Sequence, residues 1–438
     1  MKKVAIIGAG VAGMTAAKYL LAKGYEVDIY ESRNHIGGRC YSFVDGESGD
    51  MMDNGQHLFS GAYEEFFSLL RWLGTEHLLS NTGNINVDFV DSASHFAYKL
   101  DCTYPNNILG LLFGLWRMEG IGYMDKLRAN SMLLHLLRGI NGEDYSVSEL
   151  FRRLGVSDIA IKRLWKPLCV SIMNAPIEYA SAKLFLATLK RIISSGEMSL
   201  QNAIVPLQSL FDGFEVKIAN AGSRLHLKSA VTSIDVIDNR CCSIVVNGEN
   251  IAVDRVISTL PARNLTKLHP IFAEYKEWSS SPILSVYIWC DGALFDKQSI
   301  CSIGTNIEWV FNCSKMQSGM SSKHLYSITM SAANDAMPLS DVELMRVIVA
   351  ELRQITRITD VVIGRYKILR EQNATPLLTY MNEIRRPSVR SSLSNFYFAG
   401  DWTATNLPAT IESAAVSGRL VVETMDYLAS FPQAKVST

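Results

Sequence analysis

The sequence predicts an α/β protein of two domains, in which both ends of the chain build one domain around a parallel sheet. A short apolar run at residues 4–7 leads directly into the glycine motif of residues 8–13 and then into a helical pattern. Near the other end, a strand pattern at residues 395–399 closes on Gly400-Asp401, and a helix follows. The 438 residues also leave room for a second domain, of mixed sheet and helices, between these segments.

The composition is that of an ordinary globular protein. Apolar residues make up 48% of the chain and the formal net charge is -1, so no nucleic-acid-binding surface is expected. The eight cysteines have no Cys-x-x-Cys spacing, which predicts neither a metal site nor a disulfide framework and is typical of the reducing cytoplasm. We expect no signal peptide, because glycines interrupt the apolar N-terminal stretch. We also expect no membrane-spanning helix, because no apolar run reaches about 18 residues.

The N-terminal segment has the pattern of a strand–helix–strand unit that binds a dinucleotide. The first apolar run is typical of a parallel strand buried on both faces, and the helical pattern ends at Gly24 before a second strand, Tyr25–Tyr30. In this setting the GxGxxG motif predicts a Rossmann-like nucleotide loop. Gly8 permits the tight turn, Gly10 lets the backbone approach a pyrophosphate, and Gly13 lets helix and strand pack closely.

Residues that follow the glycine turn complete the expected nucleotide site. Ala12 lies at the start of the helix, where free N–H groups and the helix dipole favour a phosphate. Glu31 is expected to accept a hydrogen bond from a ribose 2′-hydroxyl, and it would repel a 2′-phosphate. Gly37-Gly38-Arg39 begins six residues later. Its glycines let the chain run close along a diphosphate, and Arg39 is expected near a phosphate or the reactive ring of the cofactor.

The C-terminal motif indicates which dinucleotide is bound. A strand–Gly-Asp–helix at one end of the chain and GxGxxG at the other predict one shared site, and with the second glycine pair they favour FAD over NAD. Asp401, next to Gly400, is a candidate ligand of a ribitol hydroxyl. The helix is expected to begin near Pro408 or Ala409, with its N–H groups aimed at the flavin N1/O2 edge, where negative charge collects on reduction. The candidate flavin contacts in this helix start are Ala409, Thr410, Ile411 and Glu412.

A third part of the predicted FAD domain lies in the middle of the chain. Residues 224–248 are predicted as strands joined at Asp238-Asn239, and the run that ends at Pro261 as a further strand. In flavoproteins with two dinucleotide-binding folds, a residue placed like Val231 holds the adenine through its backbone. The FAD-binding domain is therefore predicted to comprise residues 1–85, 200–265 and 390–438, and the substrate-binding domain residues 86–199 and 266–389.

The segment Met51–Tyr63 puts polar side chains directly beside apolar ones. Its position after Gly37-Gly38-Arg39 predicts that it leads the chain from the pyrophosphate towards the flavin ring, with Asn54, Gly55 and Gln56 as flavin contacts. Gly55 would be the point where the backbone passes close to the ring. His57, together with Gln56, is a candidate proton or hydrogen-bond donor. The alternative for His57 is a turn residue that only lines the wall.

Three stretches together resemble the amine oxidase/phytoene desaturase superfamily of flavoproteins, over nearly the whole chain. They are residues 53–63, 164–186 and 400–418. Within that superfamily they are similar to the hydroxysqualene dehydroxylase family of bacterial hopanoid pathways. The resemblance implies a reductive dehydroxylation, in which reduced FAD delivers hydride from N5 to an allylic carbon of hydroxysqualene while hydroxide leaves as water, giving squalene.

The implied reaction needs an acid and an apolar, water-excluded tunnel. Protonation of the leaving oxygen contributes about 10²–10⁴-fold in rate, and exclusion of water prevents recapture of the allylic cation. Glu178 and Tyr179 are alternatives to His57 as the proton donor. A helix-rich stretch at residues 106–196 over a strand-rich stretch at residues 282–369 would suit a long apolar isoprenoid, at about 0.8 kcal/mol per buried CH₂.

Such a substrate resides in a membrane, and Ile108–Arg117 is the candidate segment for contact with the bilayer. This segment is either a buried helix or a helix that dips into a bilayer surface, with Trp116 and Arg117 at the polar boundary. We therefore expect peripheral attachment to the cytoplasmic face of the cell membrane, and a partner that reduces the flavin. Two other functions stay open on the same scaffold: a phytoene-type carotenoid desaturase or isomerase, and a non-catalytic flavin-binding partner in a membrane assembly.

Overall fold

The computed structural model describes residues 3–80, 85–102, 108–140, 142–320 and 322–430. The strands are β1 (Lys3–Ile7), β2 (Glu26–Tyr30), β3 (Ser42–Val44), β4 (Met51–Asp53), β5 (Phe59–Ser60), β6 (Asn86–Asp91), β7 (Phe96–Asp101), β8 (Leu200–Gln201), β9 (Arg224–His226), β10 (Val231–Ile237), β11 (Arg240–Val246), β12 (Glu249–Ala252), β13 (Val256–Ser258), β14 (Ser280–Cys290), β15 (Ser299–Ile303), β16 (Trp309–Asn312), β17 (Leu325–Ser331), β18 (Ile363–Pro376) and β19 (Phe396–Phe398). The α-helices are α1 (Val11–Ala22), α2 (Glu64–Leu73), α3 (Ile108–Arg117), α4 (Tyr123–Arg138), α5 (Val147–Arg153), α6 (Asp158–Ala160), α7 (Lys166–Met173), α8 (Ala182–Ser194), α9 (Phe214–Asn220), α10 (Ala262–Leu265), α11 (Cys313–Met316), α12 (Asp341–Thr356) and α13 (Ile411–Ser430).

A five-stranded sheet in the order β19-β13-β1-β2-β9 joins the two ends of the chain. All four strand pairs are parallel, and β1 lies at the centre with every residue from 4 to 7 buried. Such two-sided burial explains why this strand is an uninterrupted apolar run in the sequence. The prediction of an α/β fold with a Rossmann-like βαβ start is confirmed.

Helix α13 packs directly on α1, which brings the C-terminal segment over the glycine loop. An added Cβ at Gly418 would lie 2.5 Å from the carbonyl oxygen of Ala12 and 2.9 Å from the backbone nitrogen of Ala16. Only glycine permits this approach of the two helices. The helix begins at Ile411, two to three residues later than predicted, because the Thr410 hydroxyl accepts a hydrogen bond from the backbone N–H of Ser413 and caps the first turn.

The second large sheet has seven strands in the order β18-β14-β17-β16-β15-β6-β7. One face is apolar and packs on α12, as Val286 and Ile288 do with Leu344 and Ile348. The opposite face turns towards β4, where Tyr287 packs with Met52. Because successive side chains of a strand point to opposite faces, the second face carries Ser285 and Tyr287 of β14 and the side chains opposite them on neighbouring strands.

Helices α3 to α8 form a lobe over one end of this sheet, with its own apolar core. That core includes Met132, Phe151 and Phe185, and Trp309 of β16 packs against it. The structure thus has helices in the predicted helix-rich stretch and strands in the predicted strand-rich one, while their assignment to a substrate-binding domain stays a prediction. Ile108–Arg117 forms α3. Among the residues that the structure describes, no helix combines the length and the apolar character needed to cross a bilayer.

Candidate active site

The two glycine segments of the nucleotide site lie against each other. Gly8 has φ +101°, a conformation that L side chains rarely adopt, and its N–H donates to the carbonyl of Tyr30 over 2.8 Å. A Cβ on Gly13 would overlap the carbonyl oxygen of Gly8. The N–H of Gly37 donates to the Ala9 carbonyl over 2.9 Å. The tight turn at Gly8 and the close packing at Gly13 are therefore present, and the contacts of this loop with a nucleotide stay predictions.

Glu31 supports this loop from the end of β2. Its Oε2 accepts a hydrogen bond from the N–H of Ala9 over 2.9 Å, and its Oε1 accepts one from the N–H of Arg33 over 2.9 Å. The neighbouring N–H of Ser229 donates to the Glu31 carbonyl over 2.7 Å, which brings the start of β10 and Val231 beside β2. The ribose contact of Glu31 and the adenine contact of Val231 stay predictions.

Arg39 is held from two sides by parts of the chain far from it in sequence. Its Nη2 donates to Oδ1 of Asp401 over 2.7 Å, and its Nη1 donates to the Ala374 carbonyl over 2.5 Å. Asp401 is buried, whereas the Arg39 side chain is 40% exposed. Burial lowers the pKa of Arg39, but the ion pair with Asp401 outweighs it and the pKa is raised. One oxygen of Asp401 is thus engaged by Arg39, and its ribitol contact stays a prediction.

The segment after β4 connects Arg39 with the seven-stranded sheet. Asn54 donates through Nδ2 to the Arg39 carbonyl over 3.1 Å, and Gly55 has φ +86° with its missing Cβ only 3.1 Å from the Ser285 hydroxyl. Gln56 donates through Nε2 to the Tyr287 hydroxyl over 3.3 Å. Gly55 therefore lets this backbone pass close to the sheet, and Gln56 ties the segment to β14.

His57 has a fixed tautomer because its partner is a carbonyl. Nδ1 lies 3.0 Å from the Gly55 oxygen, and since a carbonyl only accepts, Nδ1 carries the hydrogen. Burial lowers the pKa of His57, and Arg39 lowers it further against the opposing effect of the Gly55 hydrogen bond. The ring is therefore neutral near pH 7, and Nε2 accepts rather than donates. This protonation state does not support His57 as a proton donor and favours the alternative in which it lines the wall.

The other two proton-donor candidates lie on the surface. Tyr179 is 53% exposed, and the neighbouring Glu178 is exposed as well. Both follow α7 in a turn whose backbone is bonded to Tyr380. Their exposure does not meet the requirement for a water-excluded acid, so the structure argues against both.

Glu412 has a structural role that the sequence did not reveal. Its two oxygens accept hydrogen bonds from the backbone N–H groups of Glu65 and Phe66, over 3.1 and 2.9 Å, at the start of α2. Oε1 also lies 2.6 Å from Nη2 of Arg191. Burial raises the pKa of Glu412 to about 7, although these partners lower it. Because both oxygens are bound inside the protein, the expected flavin contact of Glu412 is a prediction for its backbone alone.

Comparison with known proteins decides the family. A model of the flavin-containing amine oxidoreductases matches residues 11–425. The chain belongs to the flavin-containing amine oxidoreductase family. It is an FAD-dependent oxidoreductase, and the resemblance drawn from residues 53–63, 164–186 and 400–418 is confirmed.

Individual relatives agree with this assignment. Hydroxysqualene dehydroxylase from Rhodopseudomonas palustris is 24% identical over 424 residues, which cover 95% of this chain and 96% of the relative. The 15-cis-phytoene desaturase from Synechococcus elongatus is 22% identical over 457 residues, with 96% and 95% coverage. Among solved structures, an oxidoreductase from Methanosarcina mazei superposes with a TM-score of 0.77 at 15% identity, covering 96% of this chain and 100% of that one.

The site of this flavoprotein fits the dinucleotide. The first turn of α1 follows Gly10, which has no side chain to cap it, so its N–H groups are available to a diphosphate. A Cβ on Gly38 would lie 3.2 Å from the Gly10 Cα, and only a glycine pair leaves this passage open. The start of α13 provides a second helix dipole for the flavin end. FAD would thus be held by the glycine loops, Arg39 and the start of α13.

Three residues that join distant segments near the candidate site escaped sequence reasoning. Tyr287, fully buried, donates its hydroxyl proton to the Asp53 carbonyl over 2.9 Å. Asn174 joins α7 to strands β14 and β18, and Glu308 precedes β16 at the end of the sheet. Asn174 falls within the family-like stretch of residues 164–186, which was a usable signal. Tyr287 and Glu308 stand in no motif, and only the strand register brings them to their partners.

Proposed function

We propose that this oxidoreductase catalyses the reductive dehydroxylation of hydroxysqualene to squalene. The observation that carries the proposal is a row of hydroxyl groups beside an apolar core. Ser285 and Thr329 face each other on the side of the sheet that meets Gly55, while the core of the helical lobe extends to Ala409 at the start of α13. A hydroxylated isoprenoid needs both features, an apolar path and polar groups at one point. The end-to-end match with hydroxysqualene dehydroxylases supports the same substrate.

When bound, reduced FAD supplies the hydride. The residues of this chain bind and orient the substrate and keep water out. The apolar lobe contributes about 0.8 kcal/mol for each buried CH₂ of the substrate. Gln56 and His57 would form the wall between the flavin end and this lobe, where His57 is neutral with Nε2 as an acceptor.

A phytoene-type desaturase or isomerase is the second candidate. The full-length similarity to a 15-cis-phytoene desaturase favours it. A polyene hydrocarbon offers no hydrogen-bonding group, however, so the buried hydroxyl groups of the sheet would have no partner in such a complex, and unpartnered buried polar groups cost free energy.

The proposal includes attachment to the bilayer in which the substrate resides. Helices α3 and α4 expose five large apolar side chains, each at least 39% accessible: Leu109, Phe113, Tyr123, Met124 and Leu127. Arg117, at the end of α3, is exposed beside them. Apolar side chains next to a cation suit the interface of a membrane with anionic headgroups. Peripheral binding at the cytoplasmic face would let the substrate pass from the bilayer into the lobe, while a separate partner reduces the flavin.

An anaerobic incubation of the FAD-loaded protein, chemically reduced, with hydroxysqualene tests the function. Squalene formed in step with flavin oxidation supports the proposal. Oxidised enzyme with phytoene is the matched experiment: flavin reduction by phytoene, with no squalene from hydroxysqualene, would replace the dehydroxylase with a desaturase. Inertness towards both isoprenoids, with a co-purifying protein partner, would favour a non-catalytic role.

A further inference from the structure

Glu308 occupies an unusual position at the end of the seven-stranded sheet. Its Oε2 accepts a hydrogen bond from the N–H of Ser331 over 2.9 Å, and its own N–H donates to the Thr329 carbonyl over 3.1 Å. The titratable groups that face this carboxyl are Lys166 on α7 and Cys301 on β15. No arginine or lysine forms an ion pair with it among the described residues, so its environment favours the neutral acid.

Glu308 lies where the seven-stranded sheet meets the helical lobe. Lys166 of α7 is the cation that acts on its carboxyl group, and the next residue, Trp309, donates through Nε1 to the Ser171 hydroxyl of the same helix over 3.1 Å. The Glu308 side chain is partly accessible, and burial raises its pKa.

A path of polar contacts joins Glu308 to Arg39. From Ser331, bonded to Glu308, the chain passes to Ala332, whose N–H donates to Oδ1 of Asn174 over 2.7 Å. Asn174 then donates through Nδ2 to the Thr375 hydroxyl over 2.9 Å. Thr375 directly follows Ala374, whose carbonyl accepts from Arg39. Hydrogen bonds and the peptide links between adjacent residues thus connect the carboxyl group of Glu308 to Arg39 in the FAD site.

An unpartnered hydroxyl group lies on the side of the sheet that meets the flavin segment. The Oγ1 of Thr329 is buried, and within the described chain it has no hydrogen-bond partner. Thr329 pairs with Ser285, which lies beside Gly55, so its side chain shares the face that meets this segment. Because an unpartnered buried hydroxyl group costs free energy, a ligand that supplies the missing hydrogen bond would be favoured at this position.

We propose that Glu308 is the proton donor of the dehydroxylation and that Thr329 holds the hydroxyl group of the substrate; this rests on the proposed function. The acidic proton of Glu308 passes to the hydroxyl oxygen of the allylic alcohol. The C–O bond breaks and its electron pair leaves with water. The carbon takes a hydride, with two electrons, from the reduced flavin, which is thereby oxidised. Glu308 remains as a carboxylate and regains a proton from solvent before the next turnover.

The substitution Glu308→Gln tests the acid, because glutamine keeps the shape and the acceptor for the Ser331 N–H. We expect unchanged FAD content and hydroxysqualene affinity, but a single-turnover rate lower by about 10²–10⁴-fold. The wild-type rate should fall as the pH rises and the acid ionises, and this alkaline limb should be absent in the variant. Glu351→Gln is the matched control, since Glu351 is a buried carboxylate that binds the N–H of Ile307 from the other side of the same sheet.

Each outcome has a separate meaning. If wild-type protein forms squalene and Glu308→Gln forms it within about threefold of that rate, with the same pH profile, Glu308 is not the acid although the dehydroxylase function stands. If wild-type protein forms no squalene, the function and the inference fall together. Infrared difference spectroscopy gives a readout that needs no turnover: near pH 7 the carbonyl absorption of protonated carboxylic acids should be lower in Glu308→Gln than in the wild type by the contribution of one group, since Glu412, whose pKa is raised to about 7, contributes to both.

The substitution Thr329→Val tests the binding role without touching the acid. Valine has the same shape and lacks the unpartnered hydroxyl, so thermal stability should be unchanged or higher. The dissociation constant of hydroxysqualene should rise by about three- to tenfold while that of squalene, which has no hydroxyl, stays the same. Equal effects on both ligands would mean that Thr329 only packs against the chain, and would overturn its assigned role.

Discussion

The guanidinium group of Arg39 lies 2.7 Å from the carboxylate of Asp401, a residue 362 positions later in the chain. This ion pair fastens the second glycine segment to the C-terminal motif, and Arg39 also reaches the last residues of β18 through Ala374. Three separated parts of the sequence thus meet at one side chain. The pair lies where the two glycine loops, the helix α13 and the seven-stranded sheet converge.

Loss of charge at this pair should weaken cofactor binding. In Asp401→Asn the amide oxygen can still accept a hydrogen bond, but the charge that holds Arg39 is gone. We expect the dissociation constant of FAD, measured by fluorescence titration of the apoprotein, to rise by about tenfold, equivalent to ~1.4 kcal/mol. Asp341→Asn, which alters an ion pair with Arg370 at an exposed site, should have no effect. An unchanged FAD affinity in Asp401→Asn would show that the ion pair does not contribute to cofactor binding.

The glycine loop should not tolerate a side chain at its third glycine. In Gly13→Ala the new methyl group overlaps the carbonyl of Gly8, so α1 must move away from the turn that binds the diphosphate. We expect a lower ratio of flavin to protein absorbance and a lower melting temperature. Gly46→Ala is the control, because nothing lies within 4 Å of the added atom. Full flavin content in Gly13→Ala would show that the loop adapts.

The neutral state of His57 makes stability depend on pH. In the unfolded chain His57 takes up a proton near its ordinary pKa of 6.5, whereas in the folded protein its pKa is lowered, mainly by burial. The unfolded state therefore binds more protons below about pH 6.5, and the free energy of unfolding falls as the pH drops. Urea denaturation should show a shallower fall in His57→Gln than in the wild type. An equal slope in His57→Gln and in the wild type would contradict the assigned state.

The contacts that hold α2, α8 and α13 together should depend on the carboxyl group of Glu412. In Glu412→Ala the N–H groups of Glu65 and Phe66 and the guanidinium of Arg191 lose their buried partner. We expect the free energy of unfolding to fall by about 2 kcal/mol. Glu423→Ala removes the partner of Arg419 from the exposed side of the same helix and should cost less than about 1 kcal/mol. A similar loss of unfolding free energy in the two variants would show that Glu412 does not hold the three helices together.

Membrane binding should reside in the exposed face of α3. Replacement of Leu109 and Phe113 by serine removes two apolar side chains that are 51% and 50% accessible. Co-sedimentation with liposomes that contain anionic lipid should decrease, because each apolar side chain contributes to insertion, while FAD content stays full. Val342→Ser changes an equally exposed residue on α12 and should not affect sedimentation. Full liposome binding by the double variant would show that this face of α3 is not the membrane-binding surface.

The FAD site was predictable because its signals are local. Gly8, Gly13 and Gly24 are dictated by backbone geometry within one strand–helix–strand unit, and a strand followed by Gly400-Asp401 needs no knowledge of the rest of the fold. The start of α13 was misplaced by only two to three residues, because a threonine cap at Thr410 is a weaker signal than a proline.

The substrate side was not predictable, because its contacts join distant segments. Glu412 looked like an acidic residue in a first helical turn, and nothing in the sequence reveals that its partners lie on α2 and α8. His57 attracted attention through its residue type, whereas its role depends on the carbonyl of Gly55 and on the burial around it. Glu308 is surrounded by ordinary strand residues, and only the pairing of β16 with β17 brings it to Ser331 and Thr329.

The position of β1 has a consequence for how the protein assembles. β1 lies between β2 and β13, and α1 is covered by α13. Domains often fold during synthesis, but here β1 gains both neighbours only after residues 256–258 have been made, and α1 is covered only after residues 411–430 have been made. The glycine loop is therefore enclosed only when these separated segments have met.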